Sequence, residues 1–336
     1  MDGDVELYAY TAHYDDRTSL EHAPVVRVII VTELSGDNDQ LLCHLWFEQA
    51  PAQQVASALT PIGEGAYRHR KAFTEFIVTC PISGTNMPTH VSLVLRARDA
   101  PTFAVPVEHA ASRAGSSNAL GVCVSLSYWH HKPLHLIEWI EVQRMLGVDA
   151  VVIYNNSLSL EAAKVFEHYA SNVSDVTGAH FLTLRQSHNF MMDRGELTFH
   201  LQMSPVINDC MYRYRKRFRS ILVIDLDEFV VPLSHDSLKD VLQAMEGRIN
   251  SKHMPFTYSF RNAYFFTDFE AEANQQSDLR TLKFLKRSEF SIPGYSTKSV
   301  IGNDVCVAMH NHFCWKYTAR YEAKEISPYL EVRYFS

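Results

Sequence analysis

No stretch of this sequence carries the roughly eighteen consecutive apolar residues that a membrane-crossing helix needs. The opening Met1-Asp2-Gly3-Asp4 is neither a secretory signal nor an anchor. As written, the chain is expected to be soluble. Positive charge is also scarce: 31 Lys and Arg stand against 38 Asp and Glu, a net charge of -7, which argues against a general nucleic-acid-binding surface. The local exception is Arg213, Arg215, Lys216, Arg217 and Arg219. It reads as the solvated last turn of a helix, where cations meet the negative end of the dipole. None of the six cysteines forms a CxxC, so neither a zinc ribbon nor a redox pair is indicated. Their even number permits disulfides without demanding them.

What is present is ordinary for a folded protein. A chain of 336 residues exceeds one average domain and suggests two, and 46% hydrophobic with 21% charged residues allows a large core. The first unit is placed over residues 1–115 as a smaller β-rich subdomain, the second over 120–336. Segments 5–12, 24–34, 40–47, 72–80 and 89–97 are apolar or alternating, with turn residues such as Gly36-Asp37-Asn38-Asp39 between them. They predict a small antiparallel sandwich or sheet. Residues 109–121, rich in Ala, Ser and Gly, read as a linker.

Beyond the linker the rhythm becomes strand, helix, strand. Strands are expected over 122–127, 148–154 and 181–184. One helix is opened by Pro133 and ended by Gly147, a second covers 160–169, and a third, over 196–216, breaks or restarts at Ser204-Pro205. Repeats of this kind predict an α/β unit with a mainly parallel sheet flanked by helices and a site along its carboxyl edge.

The stretch that organises this second half runs from Arg219 to Pro232. Ile221-Leu222-Val223-Ile224 is apolar without alternation, as in a strand buried on both faces. Asp225, Asp227 and Glu228 follow at its carboxyl end. On an extended backbone Asp225 and Asp227 point to the same side, a spacing that suits one hard divalent cation. The plainer reading is that the acids solvate a turn, with Ser234 or Asp236 capping the helix over 237–245. Like charge against such a strand is costly unless a cation or hydrogen bonds compensate it. His310 and His312, two residues apart, would share a face of a strand as metal ligands, or be satisfied histidines in a β-rich region. Trp129, His130 and His131 either stack on a base or sugar or cover the sheet edge.

Several motifs taken in order carry a resemblance. They are Tyr8 with Ala12-His13-Tyr14-Asp15-Asp16-Arg17, Cys123-Val124-Ser125-Leu126-Ser127-Tyr128, Glu138-Trp139-Ile140 and Leu146-Gly147-Val148. Next come Tyr154-Asn155 with Ser157, Asn208-Asp209-Cys210 and Asp225-Leu226-Asp227-Glu228-Phe229, and last Lys298-Ser299 ahead of His310-Asn311-His312. From Tyr8 to about Tyr317 the chain resembles glycosyltransferase family 92. The resemblance implies a GT-A-like fold, a mainly parallel sheet flanked by helices and preceded by a β-rich subdomain. It further implies an inverting, metal-dependent enzyme that moves a sugar, galactose in known cases, from a UDP donor to a glycan acceptor.

Position by position, the resemblance implies that Asp225 and Asp227 bind the metal, Asp225 reaching the metal or the donor ribose, and that His310 or His312 completes the metal site. Ser125, Ser127, Tyr128, Tyr154 and Asn155 would hold uridine. Mn²⁺ or Mg²⁺ suits carboxylate oxygen, and an imidazole nitrogen shifts the preference towards Mn²⁺. Such an ion stabilises charge on the departing diphosphate. Inversion also needs a base, for which Asp268 and Glu270 are candidates, their plainer reading being acids in a polar loop. The implied partners are a UDP-sugar and a glycan acceptor, with no nucleic acid. The implied location is the Golgi or secretory-pathway lumen, with membrane contact only through an anchor that this chain lacks. It is thus expected to be an N-terminally incomplete version or a soluble relative. Of the sequons at Asn155 and Asn172, the second is the better glycosylation site, because the first lies inside a donor motif.

Two other functions compete. A haloacid-dehalogenase-like phosphatase also carries Asp-x-Asp at a strand end, but near its N-terminus and with Thr or Val two residues on, where this chain has Phe229. A carbohydrate- or protein-binding relative of the same fold would keep the architecture without turnover.

Overall fold

The computed structural model describes residues 5–17, 24–34, 40–63, 73–110, 118–129, 132–174, 181–187, 197–248, 257–267, 277–292, 294–302, 304–318, 324–325 and 332–335. The first sheet comprises β1 (Leu7–Asp15), β2 (Val25–Thr32), β3 (Leu42–Trp46), β4 (Gln53–Ala56), β5 (Ala58–Pro61), β6 (Thr74–Pro81), β7 (His90–Val94) and β8 (Val105–Glu108). Their order is β4-β3-β7-β8-β1-β2-β6-β5, antiparallel except where β8 runs parallel to β1. The sheet folds over on itself. Val26, Val28, Ile30, Phe76 and Val78 from one side meet Cys43, Leu45, Val91 and Leu93 from the other in one buried cluster, and a disulfide joins Cys43 to Cys80 across it. The expected sandwich is there. It holds eight strands.

The second sheet is built from β9 (Leu120–Trp129), β10 (Ala150–Leu158), β11 (Leu182–Gln186), β12 (Ser220–Ile224), β14 (Thr257–Phe260), β16 (Lys298–Gly302) and β19 (Lys324–Glu325), in the order β11-β10-β9-β12-β16-β14-β19. The helices are α1 (Pro133–Met145), α2 (Leu160–Asn172), α3 (Leu197–Tyr214), α4 (Leu238–Arg248) and the short α5 (Arg280–Lys283). Small sheets are formed by β13 (Phe229–Pro232), β15 (Asn262–Ala263) and β20 (Val332–Phe335), and by the hairpin β17 (Cys306–Met309) and β18 (Cys314–Tyr317). The run β11-β10-β9-β12 is parallel, as is the edge pair β14–β19, but β16 pairs antiparallel to both β12 and β14. The expectation of a mainly parallel architecture is therefore corrected: the chain is sheet-rich and its sheets are mixed. The reason is chain return: β9, β10, β11 and β12 follow one another through α1, α2 and α3, whereas β16 comes back antiparallel between β12 and β14.

The unalternating strands are explained by two covered faces. In β9, β10 and β12, Val122, Val124, Val151, Ile153, Leu222 and Ile224 face one cluster with α1, α2 and α4. The intervening Cys123, Val152, Ile221 and Val223 face a second cluster that contains α3 together with Tyr10, Ile29 and Ile77 of the first sheet. Alternate residues thus enter two different cores, and neither face is left for polar side chains. Helix α3 lies between the two sheets, and Cys123–Cys210 fastens it to β9. The third disulfide, Cys306–Cys314, closes the β17–β18 hairpin.

Four local expectations are revised. Helix α3 continues through Pro205, where the Asn208 amide donates to the Ser204 carbonyl at 2.7 Å. Ser237, in place of Ser234 or Asp236, caps α4 by accepting from the Asp240 N–H at 3.2 Å. Of the expected linker, Leu120 and Gly121 already belong to β9. Finally, part of the basic run at the end of α3 is docked, while Lys216 and Arg219 stay largely exposed. Arg213 meets Glu108 at 2.9 Å, and Arg215 and Lys216 both pair with Asp16, so these cations clasp the first sheet to the second. Sequence reasoning did not find these pairs, because the matching acids lie some 100 to 200 residues away.

Candidate active site

The carboxyl end of β12 is where sequence reasoning placed the chemistry, and its backbone does not continue straight. The Glu228 N–H donates to the Asp225 carbonyl at 3.2 Å, so Asp225 to Glu228 form a turn before β13. This corrects the extended geometry that would have put both aspartates on one side. Asp227 is exposed, Asp225 is half-buried and Glu228 is buried. Helix α1 pins the turn from beneath: Trp139 Nε1 and Gln143 Nε2 donate to the Glu228 carbonyl at 3.0 and 3.4 Å. The neighbouring Glu138 serves elsewhere, accepting from the N–H groups of Arg280 and Thr281 at 3.0 and 2.8 Å and so anchoring α5.

Asp225 has protein partners on both oxygens. Parallel pairing of Ile224 with Val124 brings Ser125 alongside, and its hydroxyl donates to Asp225 Oδ1 at 2.5 Å. Lys298 Nζ donates to Asp225 Oδ2 at 2.8 Å and lies 3.1 Å from Glu228 Oε2. Lys298 reaches this point because β16 is antiparallel to β12, so its first residue lies at the carboxyl end of β12. Burial by itself would raise the Asp225 pKa, but the Lys298 ammonium and then the Ser125 hydroxyl hold it below the ordinary aspartate value. Burial would likewise lower the lysine pKa; Glu228 and Asp225 outweigh it and keep the ammonium charged.

The histidines stand on the loop between β17 and β18, with ring centroids 5.7 Å apart. His312 Nδ1 lies 2.9 Å from the Thr297 carbonyl, which can only accept, so Nδ1 carries the hydrogen and Nε2 the lone pair. Burial, and the charge of Lys298, hold the His312 pKa below the ordinary histidine value. His310 packs instead towards Gly63, just beyond β5, its Cδ2 3.5 Å from where a Cβ would stand there.

Tyr154 and Asn155 have other partners. Tyr154 is 1% exposed and its hydroxyl donates to Asp209 of α3 at 2.5 Å, which places it between the sheets. Asn155, at the carboxyl end of β10, accepts from the Leu158 N–H at 3.1 Å. Ser127 and Tyr128 pair with Asn155 and Ser157 along the backbone; their side chains, and that of Trp129, lie outside the described residues, as do His130, His131, Asp268 and Glu270. The N-terminal motif is structural. Asp15 accepts from Arg17 Nη2 at 2.7 Å and from Arg27 Nε at 3.2 Å, and Arg17 Nη1 reaches the Cys306 carbonyl at 2.6 Å.

Residues 118–332, well over half of the chain, match the model of glycosyltransferase family 92. The chain belongs to glycosyltransferase family 92. It is accordingly a glycosyltransferase. No curated protein matches it. The family 92 match begins at β9 and so includes Ser125, the Asp225–Glu228 turn, Lys298 and both histidines. Within this group sequence reasoning gave no role to Lys298, Glu228 or Asn311. The available signal was a lysine opening the apolar strand Lys298-Ser299-Val300-Ile301, a position where an unpaired charge would be expensive.

Proposed function

We propose that this family 92 member transfers a sugar from a UDP-linked donor to a glycan acceptor with inversion at the transferred carbon, that it needs a divalent cation, Mn²⁺ before Mg²⁺, and that the sugar is galactose. The observation that carries the reading is the Asp225–Glu228 turn. It stands at the carboxyl edge of a parallel run of strands, the place where open α/β sheets bind nucleotides, and it presents an exposed carboxylate at Asp227.

The residues suit a cation shared with the donor. Among the described residues no three His, Cys, Asp or Glu side chains converge as a ready-made metal cage. Asp227 offers carboxylate oxygen and His312 an unprotonated Nε2, and a nucleoside diphosphate supplies further oxygens, a mixed set that favours Mn²⁺. His312 is preferred to His310 because its tautomer is held by Thr297. A cation so placed supplies charge stabilisation to the departing diphosphate. The chain's own contribution is positioning: Trp139 and Gln143 fix the turn, and Ser125 and Lys298 fix Asp225. Three disulfides among the described residues support assembly in an oxidising compartment, as in the Golgi or secretory-pathway lumen. No described helix is long and apolar enough to cross a membrane.

Calorimetry of UDP with and without Mn²⁺, on the wild type and on Asp227→Ala, tests the donor site. The expected result is UDP binding that needs Mn²⁺ and disappears in the variant. A folded wild type that binds no UDP under either condition would refute it and favour a binding relative without turnover. Competition by UDP-galactose against other UDP-sugars then tests the sugar.

A further inference from the structure

We propose that Asn208 of α3 is a positioning residue of the donor site, which fixes the base of the histidine loop so that His312 stands where the cation needs it. The proposal deepens the donor-site reading above and rests on it.

The loop is carried by a hairpin that belongs to neither large sheet. Among the described residues β17 pairs only with β18, and a lone two-stranded hairpin has little stability of its own. Side chains hold its other edge. Asn208, 0% exposed, takes the Met309 backbone in both directions: Oδ1 accepts from the Met309 N–H at 2.9 Å and Nδ2 donates to the Met309 carbonyl at 2.8 Å. The second Nδ2 hydrogen goes to the Ser204 carbonyl at 2.7 Å, so a flipped amide would set like against like at every contact. One helical turn on, the Tyr212 hydroxyl donates to the Val307 carbonyl at 2.5 Å. Four residues of helix advance about 6 Å and two of strand about 6.6 Å, so α3 and β17 run antiparallel in step. Met309 is the last residue before the loop, which makes Asn208 the anchor nearest the histidines.

The helix that carries Asn208 is itself tied to the site. Cys210, two residues on, is bonded to Cys123 of β9, and β9 carries Ser125, the hydroxyl partner of Asp225. Helix α3 thus relates the base of the histidine loop to the strand beside the Asp225–Glu228 turn. The far side of the loop is held by residues 297–299, with the Thr297 carbonyl on His312 Nδ1 at 2.9 Å and Ser299 Oγ on the His312 carbonyl at 2.8 Å. A metal ligand has to stand within about 0.2 Å of its proper distance. Without the Asn208 amide, Cys306–Cys314 still closes the hairpin, but the hairpin can tilt against α3 and carry His312 off that distance.

The test is calorimetry of UDP in Mn²⁺ and in Mg²⁺ on the full chain, for the wild type, Asn208→Ala and Leu45→Ala. The last opens a cavity in the first sheet's core, in a cluster without residues of α3, and so destabilises the fold away from the loop. Asn208→Ala is expected to lose at least about tenfold in UDP affinity with Mn²⁺ and less with Mg²⁺, because the imidazole is what favours Mn²⁺. Leu45→Ala should stay within about twofold of the wild type with either ion. Unchanged affinity in Asn208→Ala, equal losses with both ions, or a matching loss in Leu45→Ala overturns the proposal. If Asn208→Ala does not fold, hydrogen exchange of the wild type decides. With UDP and Mn²⁺ about tenfold above Kd, the Met309 amide should slow about tenfold more than the amides of β2, and equal slowing overturns the proposal. A wild type that binds no UDP with either ion refutes the donor reading and this proposal with it, whereas binding that survives Asn208→Ala in full overturns only the role of Asn208.

Discussion

Replacing Asp209 by asparagine removes one negative charge from the junction between the two large sheets while keeping the side chain's shape. Asp209 is 1% exposed on α3 and is met by His13 Nε2 of β1 at 3.0 Å, by the Tyr154 hydroxyl of β10 at 2.5 Å and by Arg213 Nη2 at 2.9 Å. Burial opposes its ionisation, but His13 and then Arg213 hold its pKa far below the ordinary aspartate value. A hydrogen bond to a charged group contributes roughly 1.5–3 kcal/mol, and removing one partner of a buried ion pair costs about 3–5 kcal/mol. Asparagine retains an acceptor for Tyr154 and leaves Arg213 with the more exposed Glu108 as its countercharge, so a loss near the lower end, about 3 kcal/mol, is expected. In a chain of this size that corresponds to a fall in Tm of roughly 4 °C. The assay is thermal and urea unfolding followed by near-ultraviolet circular dichroism. A double-mutant cycle with His13→Gln should show coupling above about 0.5 kcal/mol. A loss under about 1 kcal/mol, with additive effects, would refute the reasoning, because it would mean that water already shares the site.

Three further outcomes are expected. The Asp15 pKa is lowered to about 2: burial opposes this, but Arg17 and then Arg27 outweigh it. Asp15 therefore contributes about 2 kcal/mol that is fully present above the unfolded aspartate value near 4 and is lost as pH falls towards 2; Asp15→Asn should flatten that part of a stability-against-pH curve, and an unchanged slope would remove Asp15 from the account. Gly121→Ala would put a Cβ 2.2 Å from Phe218 Cδ2, inside a ring that is itself buried, and should destabilise by roughly 1–3 kcal/mol; Phe218→Leu in the same chain should recover part of it in a urea titration. Expressed through a secretory pathway, the chain should carry a glycan at the exposed Asn172 and none at Asn155, which is half-buried at the carboxyl end of β10; peptide mass mapping before and after deglycosylation would show the reverse if this is mistaken.

Much of this was legible because it is local. Strand β12 was readable from four apolar residues, α1 from its Pro133 start and Gly147 stop, the latter at φ +83°, and the site from acids at a strand end. The three strands Gln53–Ala56, Ala58–Pro61 and Val105–Glu108 were not anticipated. Their burial patterns show few fully buried residues, so no strong apolar period marks them. The geometry within the Asp225–Glu228 turn was misjudged for a different reason. Spacing of two gives a common side only while the backbone stays extended, and the i to i+3 hydrogen bond that ends the strand depends on how α1 and β13 hold Glu228.

By itself the sequence determined the two cores, through runs of apolar residues that must be covered on both faces, and it determined which acids stand at the edge of the parallel strands. Only the tertiary structure decided how their charge is met. Lys298 reaches Asp225 across 73 residues because β16 enters antiparallel beside β12, and Arg215 reaches Asp16 across 199 because α3 lies between the sheets. A charge carries no periodicity of its own. Its partner is set by which strand ends and helix ends the folded chain brings within about 4 Å, and at that range burial makes compensation obligatory.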